Sequence, residues 1–81
     1  MLSIEKDQNA EQVLIHGSPD QLRWLASRLE AIANEAEKSG HLHDHFMTKE
    51  WGGDELTSEL QGEKESHELI NHLIVYGWQN D

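Results

Sequence analysis

The run Gly17-Ser18-Pro19-Asp20-Gln21 constrains this chain more than any other, because it specifies a helix start in several ways at once. Glycine breaks the extended run before it, and Ser18 can cap the first free amides. Pro19 suits the first helical position, where no N–H is needed, and Gln21 stands at the capping-box distance from Ser18. From Pro19 onward Leu22, Leu25, Leu29, Ile32 and Ala36 recur at steps of three and four, with Ala26 and Ala33 beside them. That spacing predicts one apolar stripe laid against a sheet. Lys38 suits the negative end of the helix dipole, and Gly40 can take the left-handed conformation that closes the helix.

Outside this segment the period is that of strands. Leu2 to Lys6 alternate apolar and polar, and after the polar turn Asp7-Gln8-Asn9 the run Gln12 to His16 is rich in β-branched residues, which predicts a hairpin. After Gly40, the run His41-Leu42-His43-Asp44-His45-Phe46-Met47 alternates again. One side of that strand would carry Leu42, Asp44 and Phe46, and the other His41, His43, His45 and Met47. Trp51-Gly52-Gly53-Asp54 reads as a turn. Residues 54–60 fit either a short strand or a helical turn, and Gln61 to Glu65 a surface loop. The segment Leu69 to Tyr76 fits a helix by its Leu69/Ile70/Leu73/Ile74 spacing and a strand by its Ile74-Val75-Tyr76 ending; a strand is the reading adopted. The expected architecture is α+β, in the order β-β-α-β-(β)-β. It is a small antiparallel sheet of four to five strands in a single domain spanning 1–81, with one main helix packed on one face.

Charge decides which partners suit such a domain. Sixteen Asp and Glu against six Lys and Arg give a formal net charge of −10. That balance repels phosphate backbones and anionic lipid and attracts basic protein surfaces, so neither nucleic acid nor membrane is expected as a partner. With no cysteine, disulfides and thiolate metal sites are absent. The N-terminus lacks the basic start and apolar run of a signal peptide, which makes the cytoplasm the expected compartment.

Chemistry-bearing groups are few. His41, His43 and His45 would point the same way from one strand, at about 6.6–6.8 Å intervals. Two such histidines with a third ligand can hold zinc, so a histidine-based metal site is an alternative to a plain polar surface. No Gly-x-Ser-x-Gly elbow supports a hydrolase, and the domain is too small to promise a deep pocket, so no enzymatic activity is expected. Trp24 lies far round the helical wheel from Leu22 and Leu29. It is therefore predicted to be exposed, or covered by a loop or the segment holding Trp78, with Arg28 one turn along.

The helix opening Ser18-Pro19-Asp20-Gln21-Leu22-Arg23-Trp24-Leu25, the following Gly40-His41-Leu42-His43-Asp44 and the β-rich C-terminus resemble the immunity protein 32 family of bacterial polymorphic toxin systems. The resemblance implies an antagonist of a cognate toxin, held in the cytoplasm of the cell that makes the toxin and lacking activity of its own. An acidic domain with an open sheet face suits capture of a basic toxin. Trp24 and Arg28 from the helix, and His43, His45, Asp54 and Glu55 from the strand and turn, are the expected contact residues. A homodimer module is a second alternative.

Overall fold

The helix start signalled by the sequence is built as expected. In the computed structural model, which describes residues 1–79, α1 spans Pro19–Ser39. Ser18 Oγ accepts from the Gln21 N–H at 3.2 Å, and Gln21 Oε1 accepts from the Ser18 N–H at 2.8 Å. At the far end Gly40 adopts φ 84°, and its N–H donates to the Ala36 carbonyl at 2.8 Å. Left-handed backbone of this kind costs glycine nothing sterically.

Among the described residues five strands accompany the helix: β1 (Ser3–Asp7), β2 (Val13–His16), β3 (His41–Met47), β4 (His67–Leu69) and β5 (His72–Trp78). β1 and β2 form the expected hairpin, with Ile4 opposite Ile15. Its turn is held by the Asp7 carboxylate, which accepts from the Glu11 and Gln12 amides at 2.8 and 2.9 Å. β3 pairs antiparallel with β5 over their full lengths, from His41↔Trp78 to Met47↔His72. Every pairing between named strands is antiparallel, so the α+β architecture holds.

Where the sequence pattern predicts one sheet, the strands divide into two, β2-β1-β4 and β3-β5. The division arises in the last stretch of chain. β4 and β5 follow one another through Ile70 and Asn71, and the two halves serve different neighbours. The Ile70 N–H donates to the Ile4 carbonyl at 2.7 Å, whereas the Asn71 carbonyl accepts from Thr48 at 3.0 Å. Residues 54–60 turn out to be neither strand nor helical turn. Leu56 alone makes isolated parallel bridges to both Leu2 and Thr48, stitching the two sheets together. A short 3-10 helix, Lys49–Trp51, leads into that stitch.

The core sits at this junction. Leu2, Ile4, Phe46 and Leu56 are buried, with Trp24, Leu25, Ile70, Leu73 and Val75 packed against them. The helix lies on β3 and β5. Its buried seam differs from the expected stripe, because Ile32 and Ala36 are buried while Leu22 and Leu29 stay 45% and 42% exposed. The half-buried Trp24, Leu25 and Arg28 take their place at the N-terminal end. Steps of four drift by about 40° each round a helix, and the seam 24-28-32-36 follows that drift as α1 crosses the sheet.

Gly77 marks the closest approach of sheet and helix. A Cβ there would lie 2.9 Å from Ile32 Cγ2 and 3.3 Å from Ala36 Cβ. A Gly77→Val substitution should therefore force α1 outward and cost about 1–3 kcal/mol in chemical denaturation, as overpacking typically does.

Candidate partner-binding face

Alternation along the β3-β5 ladder sorts its side chains between two faces. Leu42, Asp44, Phe46, Leu73, Val75 and Gly77 turn toward the helix side, where all are buried or half-buried. The opposite face carries His41, His43, His45 and Met47 from β3, cross-strand from Trp78, Tyr76, Ile74 and His72 of β5. Trp78 is 70% exposed, Trp51 57% and Tyr76 54%. Rings contact one another across this face. Tyr76 lies 5.3 Å from His43 between centroids, His43 lies 4.9 Å from His45, His45 stacks on His72 at 5.0 Å, and His72 lies 5.7 Å from Trp51. His45 Nδ1 and His72 Nε2 are 2.8 Å apart. One of these nitrogens donates and the other accepts, so the contact exists only while at least one of the two rings is neutral.

The six residues nominated from the sequence fall into two groups. His43 and His45 lie exposed on the ring-bearing face. Trp24, Arg28, Asp54 and Glu55 instead come together, with Met1, Leu2, Asp20 and Gln21, around a cleft of about 470 Å³ between α1 and the turn after Gly53. The expected exposure of the helix pair is corrected here. Trp24 is half-buried with its ring edge-on to Phe46 at 5.7 Å, and the Arg28 guanidinium lies 5.3 Å above Trp24 and 5.0 Å from Phe46. Arg28 reaches this position because Asp44, on the helix-facing side of β3, accepts from it at 2.6 Å. An ion pair satisfied on both sides lets a charged residue share an apolar seam.

Glu55 is also committed within the fold. Its carboxylate accepts from the Met47 N–H at 2.9 Å, which holds its pKa below the usual range, with Asp54 adding to the effect. Asp54 stays exposed, and its hydrogen bond and charge repulsion with Glu55 push its own pKa up. Sequence reasoning missed His72, Ile74, Tyr76, Trp78 and Trp51 as members of the exposed face. The alternation His72-Ile74-Tyr76-Trp78 was the available signal, once the last segment is read as a strand.

Among the described residues no group of three or more His, Cys, Asp or Glu is placed to hold a metal ion. The His41/His43/His45 alternative therefore has no converging ligand set: along β3 the ring centroids stand 6.3 and 4.9 Å apart, and His45 hydrogen-bonds to His72. Nor is any helix among them long and apolar enough to cross a membrane. A family model described as immunity protein 32 matches residues 12–74. The chain belongs to the immunity protein 32 family. No curated protein and no solved structure matches it. In this immunity protein 32 member, the matched span runs from the start of β2 through α1, β3 and β4 into the first half of β5. It thus includes the histidine-bearing strand and the Leu56 stitch that holds the two sheets together.

Proposed function

We propose that this protein binds and neutralises a cognate bacterial toxin by protein–protein occlusion, and that the outer face of the β3-β5 sheet makes the contact. The observation that carries the reading is the exposed row of rings on a sheet already filled by the helix on its other side. Tryptophan and tyrosine dominate binding energy at protein interfaces, and an exposed apolar patch with polar neighbours is a common mark of one. Histidines interleaved with these rings supply donors and acceptors without adding fixed charge. The net charge of −10 then supplies long-range attraction toward a basic toxin, raising the rate of capture more than the final affinity.

In this reading the chain has no catalytic activity and acts in the cytoplasm of the toxin-producing cell. His43 and His45 belong to the contact face. Trp24 and Arg28 support it from behind, and Asp54 offers a carboxylate at the rim of the neighbouring cleft. Inhibition is steric, by covering the toxin's active site or the surface that meets its target. The test is co-expression with the toxin encoded beside this protein: cells carrying both should grow, and the purified pair should associate less readily as salt is raised. Equal killing with and without this chain would overturn the proposal.

A further inference from the structure

The two-stranded sheet has two edges, and they are finished differently. On β3 the outward-facing His45 N–H is taken by Asp44 Oδ1 at 2.9 Å. The outward Met47 N–H is taken by Glu55 at 2.9 Å, and the Met47 carbonyl accepts from Leu56 at 3.2 Å. The C-terminal half of that edge is thus capped by the protein itself.

Among the described residues the edge of β5 is bare. The Asn71 carbonyl accepts from Thr48 and the Gln79 N–H donates to the Gly40 carbonyl, so odd-numbered residues of this stretch face β3. By the alternation of an antiparallel ladder, the N–H and C=O groups of Ile74, Tyr76 and Trp78 face the other way. Among the described residues β3 is the only strand paired with β5. The run His72–Trp78 contains no Asp, Glu, Lys, Arg or Pro, and its register with β3 is continuous, without a bulge. These are the devices that normally keep an edge from pairing with another chain.

A second feature lies on the same flank. The side of α1 left uncovered by the sheet presents Leu22, Ala26, Leu29 and Ala33, all exposed. A groove of about 380 Å³ lined by Leu29, Ala33, Glu37 and the Val75–Gln79 stretch joins this apolar stripe to the β5 edge. An occupant that pairs with β5 would therefore also meet the helix stripe.

We infer that this protein forms a two-fold homodimer in which β5 of one copy pairs antiparallel with β5 of the other through these free edges. Charge selects a second copy as the occupant. Two chains of net charge −10 repel wherever their acidic surfaces meet, and the seven residues of β5 carry no fixed charge of either sign. A basic partner would find no carboxylate on the strand itself and, among the described residues lining the groove, only Glu37 near the end of α1, so little there would make it prefer this edge to the rest of the surface. The same strand on both sides makes the contact isologous, as two-fold symmetry requires. An axis perpendicular to the sheet places both helices on one side, where their Leu22/Leu29 stripes cover each other. It also joins the two ring-bearing faces into one four-stranded surface, β3-β5-β5-β3. The dimer does not depend on the toxin reading, since it is argued from the backbone edge of β5 and a helix flank and not from the outward-facing rings.

Light scattering of the isolated protein over a dilution series tests it. The expected mass is twice the 9.3 kDa of one chain. Leu29→Glu and Ala33→Glu, both on the exposed helix flank, should return it to a monomer with unchanged helical circular dichroism. Amide exchange on the wild-type protein keeps the test decisive even if a variant fails to fold: the Ile74, Tyr76 and Trp78 amides should exchange slowly in the dimer. A monomeric wild type overturns the inference, and so does a dimer in which those three amides exchange freely. Protection that develops only on adding the toxin would also overturn it, by assigning the edge to a toxin strand.

Discussion

Replacing Glu5 with alanine is expected to lower the unfolding free energy by about 3 kcal/mol, because it strands several buried polar groups at once. Glu5 lies in the middle of β1 with no exposed surface. Its carboxylate accepts from the backbone amides of Gln61 and Gly62 at 2.6 and 3.0 Å and from the Ser3 hydroxyl, tying the polar loop onto the strand. His16 Nε2, 3.6 Å away, has no hydrogen-bond partner of its own. For a domain of this size, a loss of that magnitude corresponds to a fall in melting temperature on the order of 15 °C. Glu5→Gln keeps one acceptor oxygen but turns a donor toward the loop amides, so it should lose a smaller part.

The same contacts fix the pH dependence. Burial raises the Glu5 pKa, but the Ser3, Gln61 and Gly62 hydrogen bonds and the nearby His16 outweigh it and hold the group below its ordinary 4.5. A carboxylate whose folded pKa is lowered stabilises the fold above its unfolded pKa, and that contribution is lost as pH falls through the folded value. Urea denaturation followed from neutral pH down through about pH 4 should therefore show the gap between wild type and Glu5→Ala narrowing in acid. A gap that stays constant or widens would remove Glu5 as the anchor.

Truncating Tyr76 to alanine should weaken toxin binding by at least about 30-fold, the loss expected when a central aromatic anchor worth about 2 kcal/mol is removed. Tyr76 sits at the middle of the outward face, with its ring within 6.3 Å of His41 and 5.3 Å of His43. Its side chain contributes nothing to the core, so thermal stability should change little. Val13→Ala is the matched control, since Val13 is 64% exposed on β2 in the other sheet. Calorimetric titration with the toxin should show Val13→Ala binding as wild type does. If Tyr76→Ala also bound normally, the contact would have to lie elsewhere, and the cleft bounded by Trp24 and Asp54 would be the next surface to alter.

What could be read from the sequence was local. The capping box at Ser18 and Gln21, the glycine stop at Gly40, the hairpin through Asp7 and the alternation of His41 to Met47 each depend on residues a few positions apart. The chain enforces such features wherever the segment lies. The tertiary structure decided what depends on pairing distant segments. Arg28 belongs to the buried seam only because Asp44, sixteen residues on, neutralises it; by periodicity alone a charged residue marks the solvent side. Glu5 is a core residue only because loop amides 56 and 57 positions away fold over it. The ring-bearing face exists only because β5 returns beside β3 in a register that sets Tyr76 opposite His43. Hydrophobic period and capping chemistry determined where the elements begin, end and turn. Which face each one buries was decided by partners brought from elsewhere in the chain, since a polar group is stable inside only once another segment satisfies it.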